Sequence, residues 1–237
     1  MGTAVLKVVR LSLCFVALAA CEEGPPAPDR GHPDAANEQS VSSAADMRVA
    51  RAAHTVTGLR GGGVLVAGGF GEAEGDPLAS AELYDASTES FVPIKDMTTP
   101  RQSHTATPLP DGGVLITGGY GPDGPLRSAE IYDPATRRFT PTGRMALRRA
   151  GHEAVRLEDG RVLIVGGVGP GFAFLETAEL YDPRTDRFSA VGTMSVPQES
   201  HTATLLPDGR VLVSGGHVGR EDNLQLYASA ELYDPAF

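Results

Sequence analysis

The fold is decided by residues 97–133, MTTPRQSHTATPLPDGGVLITGGYGPDGPLRSAEIYD, because this stretch occurs four times in the chain with small changes. Its fixed points are a Met, a His seven residues later, a Gly-Gly pair, and an Ala-Glu-Leu/Ile-Tyr-Asp segment. A period near 50 residues predicts a repeat architecture in which neighbouring units bury each other's apolar faces. The four sets of Met, His, second Gly and Tyr are Met47/His54/Gly69/Tyr84, Met97/His104/Gly119/Tyr132, Met145/His152/Gly167/Tyr181 and Met194/His201/Gly216/Tyr233.

The residue pattern within each unit predicts four short strands. The first follows the His, the second is the apolar run that ends in Gly-Gly, the third contains Tyr-Asp, and the fourth centres on a Phe seven residues after the Tyr in the first three units. An Asp-Gly pair between the first two strands, as at Asp111-Gly112, predicts a two-residue hairpin turn. The Gly-Gly pairs are interpreted as structural positions where another backbone approaches closely: Gly68-Gly69, Gly118-Gly119, Gly166-Gly167 and Gly215-Gly216.

The Gly-Gly, Tyr-Asp and Phe pattern, repeated in register, resembles the kelch repeat of the galactose oxidase central-domain superfamily of β-propellers. The resemblance covers residues 39–237 and implies an all-β propeller domain. The count of repeat units, which start near residues 47, 97, 145 and 194, predicts four blades of four antiparallel strands. The chain departs from the pattern because it has no Trp, a residue common in the last strand of kelch units.

The spacing of the units also predicts how the ring closes. Each Phe of a fourth strand lies six residues before the next Met, and six residues before Met47 is Val41. We therefore expect residues 39–45 to pair beside Ala230–Asp234, which removes exposed strand edges and shields Val41 and Leu232 from water. Kelch rings more often have six or seven blades, so a truncated or open arc of a larger propeller, or an arc that dimerises, is the alternative.

Residues 1–20 have the features of an export signal. Lys7 and Arg10 precede a ten-residue apolar stretch, Leu11 to Ala20, that is too short for a mature membrane span. Residues 21–38 are rich in Pro, Gly, Asp and Glu without an apolar period, which is typical of a flexible tether.

The sequence Leu-Ala-Ala-Cys at residues 18–21 resembles a bacterial lipobox. This resemblance implies acylation of Cys21 and a lipid anchor in the bacterial cell envelope, and Glu22 favours the outer membrane. The alternative is an ordinary secretory signal followed by an unmodified cysteine. The only other cysteine is Cys14 in the signal, so we expect no disulfide in the exported domain.

The formal net charge is −10, and loss of the signal would remove two positive charges and take it to −12. The sequence has no runs of basic residues to neutralise phosphates, which argues against a nucleic-acid partner. It also offers no polybasic attraction to anionic lipid, so attachment to a membrane would depend on the acyl chains.

The loop between the second and third strands is the variable part of the unit, with 11, 9, 10 and 13 residues in the four copies. Variation confined to one face of a repeat protein favours a recognition role for that face. The alternative is that these loops only cover the ring and its channel. We expect a protein or a glycan ligand at aromatic and polar loop residues, namely Phe70, Tyr120, Phe172, Phe174, His217, Arg220 and Tyr227.

Two further sets of polar residues recur. Four histidines at one position, His54, His104, His152 and His201, could converge on a metal in a symmetric ring, but we favour a structural role and predict no metal. Arg51, Arg101 and Arg149 lie three residues before the first three of these histidines, and a Glu recurs in each third strand, so Arg-Glu pairs within or between blades are expected. Gln198 replaces the Arg in the fourth unit, which leaves Glu231 as the acid whose pairing is least certain.

No catalytic motif stands apart from the repeat. The family resemblance raises copper-radical oxidase chemistry, but that cofactor needs a Tyr-Cys cross-link and the exported domain has no unmodified Cys. The sequence therefore predicts a non-enzymatic, membrane-anchored binding or scaffold module without cofactors. An enzyme or carbohydrate-processing subunit with its site on the loop face is the alternative.

Overall fold

The computed structural model describes residues 44–72 and 75–236. The protein is all-β and forms a four-bladed β-propeller, with four antiparallel sheets of four strands arranged in a ring. Among the described residues, core clusters join the three pairs of successive blades, and none joins the fourth blade to the first. The predicted signal, tether and Cys21, and residues 39–43, lie outside the described residues. Within the described ranges, the helical elements are two short 3₁₀ turns at Pro170–Phe172 and Glu221–Asn223.

The strands are numbered in chain order. The first blade consists of β1 (Thr55–Gly58), β2 (Gly63–Ala67), β3 (Ala81–Asp85) and β4 (Ser90–Pro93). The second consists of β5 (Thr105–Pro108), β6 (Val114–Thr117), β9 (Ser128–Asp133) and β10 (Arg138–Arg144), with a small hairpin of β7 (Tyr120–Gly121) and β8 (Gly124–Pro125) in its loop. The third consists of β11 (Glu153–Arg156), β12 (Val162–Val165), β13 (Thr177–Asp182) and β14 (Arg187–Thr193). The fourth consists of β15 (Glu199–Leu205), β16 (Val211–Val218), β17 (Gln225–Leu226) and β18 (Ala230–Tyr233).

The four strands predicted for each of the first three units are confirmed, and they pair in chain order as antiparallel meanders. In the fourth blade, β16 is long enough to pair with β18 near its start and with the short β17 near its end. The Tyr of each third strand packs on the Phe of the fourth in the first three blades, with ring centroids 4.9 to 5.0 Å apart.

The predicted two-residue hairpin turn is wrong. Strand β5 ends at Pro108, which pairs with Val114, so five residues separate the two strands. A turn that starts at Leu109 explains the longer connection, because the Gly112 N–H donates to the carbonyl of Leu109 at 3.1 Å and the Leu109 N–H donates to the carbonyl of Gly113 at 2.8 Å. The Asp-Gly signal still marks a turn, since Gly112 has a φ of +96° and the Asp111 carboxylate accepts from the Gly113 N–H at 2.9 Å.

The hydrophobic core lies between successive blades. The Val, Leu and Ile side chains of the second strands are almost fully buried, as expected for strands covered on both faces. Three apolar clusters join the first blade to the second, the second to the third, and the third to the fourth. The inner strands β1, β5, β11 and β15 lie side by side in that order.

Gly119 shows why a Gly-Gly pair ends the second strand. Its φ is +91°, and a Cβ atom there would lie 2.5 Å from the carbonyl oxygen of Gln102 and 2.8 Å from the Cβ of His104. Only glycine tolerates both the left-handed backbone and this close approach.

The ring-closing strand predicted at residues 39–45 falls mostly outside the described residues. Ala44 and Ala45 are described and lie in no strand. Leu232 was expected to be shielded, but it is 49% exposed. The pairing of residues 39–43 with β18 therefore stays a prediction.

Candidate binding site on the loop face

The repeat brings the variable loops together on one side of the propeller, which we call the loop face. The residue after each Gly-Gly pair bridges to the segment that leads into the inner strand: Phe70 to Ala52, Tyr120 to Gln102, Val168 to Ala150 and His217 to Glu199. The next residue along each segment has a positive φ, between 51° and 59°, at Ala53, Ser103, Gly151 and Ser200. This shared turn places all four bridges around the mouth of the ring.

One of the four bridges carries charge. Glu199 is only 7% exposed, and its carboxylate accepts from the Arg220 guanidinium at 2.6 Å. The Nε2 atom of His217 lies 3.2 Å from the same oxygen of Glu199. A buried carboxylate needs such partners, because an uncompensated charge out of water is costly.

Aromatic rings from the third blade cover this charged group. The Arg220 guanidinium carbon lies 5.4 Å from the centroid of Phe172 and 5.8 Å from that of Phe174, which is cation–π distance. Phe174 also meets His217 edge to face at 6.1 Å. We call Glu199, His217, Arg220, Phe172 and Phe174 the Glu199 cluster.

Tyr120 is electrostatically coupled to the Glu199 cluster. Burial raises the pKa of its phenol, the negative charge of Glu199 raises it further, and the positive charge of Arg220 opposes both. The structure therefore unites four of the seven loop residues predicted from sequence and places Tyr120 within electrostatic reach of them. The other two, Phe70 and Tyr227, hold their own loops: Phe70 bridges to Ala52, and the Tyr227 N–H donates to the carbonyl of Gly216 at 2.9 Å.

Sequence analysis missed Glu199, the residue at the centre of the cluster. A signal was present, because the three equivalent positions hold Ala52, Gln102 and Ala150, none of which is charged. The acid appears in the same unit in which Gln198 replaces the repeated Arg.

The surface beside the Glu199 cluster is apolar and open. Phe172 is 63% exposed, and it holds this position with a φ of +60°, an unfavourable backbone for a bulky side chain. Leu224 and Leu226, in the loop that also carries Arg220, are 51% and 74% exposed. Exposed aromatic and aliphatic side chains around a small number of paired charges are typical of protein recognition surfaces.

The repeated histidines lie between the blades. His104 Nε2 is 2.9 Å from the Thr55 hydroxyl of the preceding blade, and His152 Nε2 is 3.1 Å from the hydroxyls of Thr105 and Thr117. Burial, aided by the charge of Arg101, lowers the pKa of His104 to about 3, and burial lowers that of His201 to about 4. The described part of the chain contains no group of three or more His, Cys, Asp or Glu side chains placed to hold a metal ion.

The repeated Arg and Glu residues pair within each unit. The guanidinium-to-carboxylate distances are 2.9 Å for Arg51–Glu82, 2.8 Å for Arg101–Glu130 and 2.9 Å for Arg149–Glu179. Each of these acids also accepts from two backbone N–H groups, as Glu130 does from Thr98 and Thr99. In the fourth unit Glu231 accepts from the N–H and hydroxyl of Ser195.

A depression of about 570 Å³ lies on the opposite side of the propeller, at the turns of the third and fourth blades. Its arginines already pair with aspartates of their own turns, Arg161 with Asp159 and Arg210 with Asp208. It therefore offers less distinctive chemistry than the Glu199 cluster.

No protein-family model matches the chain, and no curated protein matches it. Within residues 44–72 and 75–236, no helix has the length and apolar character needed to cross a membrane.

Proposed function

We propose that this protein is a non-enzymatic kelch-type binding module, held at the bacterial cell envelope by lipid on Cys21, that recognises another protein through the loop face of its third and fourth blades. The observation that carries the proposal is the Glu199 cluster with its exposed neighbours Phe172, Leu224 and Leu226. The repeat accounts for the other buried ion pairs, but nothing in the repeat requires an ion pair at this position.

The chemistry of the surface favours a protein partner. Arg220 and Glu199 neutralise each other, so the cluster presents aromatic and aliphatic groups with one oriented ion pair. Tyr, Phe and Arg are enriched where proteins bind each other, and an ion pair fixes orientation more than it adds affinity. The absence of Trp weakens the case for a sugar ligand.

Backbone strain at Phe172 supports the same proposal. A non-glycine residue with positive φ costs on the order of 1 kcal/mol, and such positions cluster at functional sites. Here the strained backbone holds the exposed Phe172 ring over Arg220, where the ring adds little to the stability of the fold.

Site-specific photo-crosslinking tests the proposal. A photoreactive phenylalanine analogue at position 172 is expected to trap a discrete protein adduct in the bacterial host. The same analogue at Val92, which is 41% exposed on β4, serves as the matched control and is expected to trap none. Absence of an adduct at 172, or the same adduct from both positions, would contradict the proposal.

The lipid anchor has its own test, since Cys21 lies outside the described residues. Mass spectrometry of the membrane fraction is expected to find an N-terminal acylated Cys21, and Cys21→Ser should release or mislocalise the protein. An unmodified N-terminus at another residue would refute anchoring while leaving the loop-face proposal standing.

The alternative is an enzyme with its site on the same face, and the pair of His217 and Glu199 at 3.2 Å is the observation in its favour. Arg220 occupies the carboxylate oxygen that would have to orient the imidazole, which favours the binding module. Adduct formation that survives His217→Gln would support binding. An activity found in the native protein and lost in that variant would support the enzyme.

A further inference from the structure

The three packed contacts between successive blades, which we call junctions, are built in the same way. The second Gly of each pair donates its N–H to a carbonyl of the next unit at 2.9 Å: Gly69 to Arg101, Gly119 to Arg149 and Gly167 to Gln198. The first Gly lies against a His and a Met of the next unit. A Cβ on Gly166 would lie 2.5 Å from the Cε1 of His201 and 3.1 Å from the Cε of Met194.

The apolar parts of the junctions repeat as well. In each, a Leu from the second strand of one blade shares a core cluster with a Met and an Ala from the next unit. The three sets are Leu65 with Met97 and Ala106, Leu115 with Met145 and Ala154, and Leu163 with Met194 and Ala203. All three leucines and all three methionines are buried.

The fourth blade presents the same kind of face without a cover. Leu212, the equivalent of the three buried leucines, is half-buried, and Leu232 is 49% exposed. A Cβ on Gly215 would find one atom within 4 Å, the carbonyl oxygen of Tyr227 in its own blade. Thr55 and Thr105 bond to the His of the next unit, whereas among the described residues Thr202 bonds to Ser214 of its own blade at 3.1 Å, a contact that Thr105 also makes with Thr117 at 2.6 Å.

The first blade presents the other side of a junction, the side that carries the Met, the His and the position of the junction alanine. Met47 is only half-buried, unlike the three junction methionines, and Val56, the equivalent of the junction alanines, is 63% exposed. The segment that carries Met47 is firmly held, because Glu82 accepts from the N–H of Arg48 at 2.8 Å and from the Arg51 guanidinium at 2.9 Å. Among the described residues, the molecule therefore has one uncovered face of each kind.

We propose that the open face of the fourth blade binds the first blade of a second copy of this chain, and that two copies form a head-to-tail dimer with eight blades. A Cβ built on Gly215 finds no atom of Met47 within 4 Å, whereas the first Gly of each packed junction finds the Met of the next unit at 3.0 to 3.2 Å. A second copy would supply Met47, His54 and Val56 to this face. A two-fold pairing covers both uncovered faces at once and leaves no open end.

Cross-linking between chains tests the dimer directly. His54 and Thr202 are the equivalents of His104 and Thr55, whose side chains meet at the first junction. The full chain carrying His54→Cys and Thr202→Cys, purified in detergent and treated with a short thiol-to-thiol reagent, is expected to give a covalent dimer. The matched control, Thr55→Cys with His104→Cys, should link within one chain, and each single variant reports any contribution from Cys14 or Cys21.

Sedimentation of the full chain in detergent gives a second measurement. A mass of two copies is expected, and Met47→Asp should weaken the dimer about tenfold or more because a carboxylate would enter an apolar junction. Phe172→Asp, on the loop face, should leave the dimer intact. A link between positions 54 and 202 within one chain, no link at all, or a mass of one copy at every concentration would overturn the proposal.

Discussion

Arg101 and Arg220 show two different uses of the same side chain in this propeller. Arg101 is fully buried, recurs as Arg51 and Arg149, and donates to the carbonyl of Gly118 at 2.7 Å and to Glu130 at 2.8 Å. Arg220 occurs once, is one-third exposed, and joins Glu199 beneath two phenyl rings. Polar residues that recur with the unit therefore hold the blades, whereas polar residues that occur once are candidates for recognition.

The largest effect on stability is expected from Arg101→Ala. This change leaves the Glu130 carboxylate buried and without its cation, so the free energy of unfolding should fall by about 3–5 kcal/mol. Urea denaturation measures the change. Arg184→Ala, which breaks an exposed ion pair with Asp182, is the control and should leave stability nearly unchanged. Equal effects from the two variants would end the distinction between buried, recurring arginines and exposed ones.

The next effect concerns the backbone of the junctions. Gly119→Val combines a left-handed φ with a clash against the Gln102 carbonyl, so it should cost on the order of 2 kcal/mol or more. Gly58→Val is the matched control, because a Cβ on Gly58 meets no atom within 4 Å. An unchanged thermal midpoint for Gly119→Val would show that the close approach at the junction is not essential.

The buried histidines predict a dependence of stability on pH. Their pKa values are lowered in the folded state, to about 3 for His104 and about 4 for His201, so the unfolded chain binds more protons below its ordinary pKa near 6.5. Stability is therefore fully present above pH 6.5 and falls as the pH drops toward these lower values. Between pH 6.5 and 5, each such histidine should contribute a slope of about 1 kcal/mol per pH unit.

Urea denaturation at a series of pH values checks this slope. His104→Gln should reduce the slope by the contribution of one histidine, about 1 kcal/mol per pH unit. Stability that stays flat between pH 6.5 and 5 in the native protein would mean that these imidazoles are not held neutral between the blades.

The smallest effect is expected on the loop face. Phe172→Gly relieves a positive φ but adds freedom to the unfolded chain, and these opposing terms should leave the free energy of unfolding within about 1 kcal/mol of the native value. Thermal unfolding measures this. A loss of several kcal/mol would place Phe172 among the residues that hold the blades.

The repeat made the fold predictable from sequence, because the same strand and turn pattern appears four times and each copy supports the others. The Arg-Glu pairs could be expected because both residues recur, although only the structure shows that they pair within a unit. The Glu199 cluster could be predicted only in part. Its aromatic residues and Arg220 stand out in loops of variable length, but Glu199 acts through a contact with a loop about twenty residues away, and a single substitution in a strand does not reveal that contact.

The two-residue turn failed for a local reason. The Asp-Gly pair is the second half of a turn that starts at Leu109 and closes with the Gly112 N–H on the Leu109 carbonyl, so the connection is longer than a two-residue hairpin. The Asp-Gly pair predicted the place of the turn but not its length.

Recognition at the loop face should be separable from the stability of the blades, and the double variant Glu199→Gln with Arg220→Ala tests this, because it removes the ion pair without leaving a buried carboxylate unpaired. In protein carrying the photoreactive residue at position 172, both the yield of the cross-linked adduct and the thermal midpoint are measured with Glu199 and Arg220 present and in the double variant. We expect the adduct to be lost while the midpoint stays within about 4 °C, the shift that corresponds to roughly 1 kcal/mol. An adduct that persists at full yield, or a midpoint that falls well beyond this range together with the adduct, would show that recognition and stability are not separable in this way.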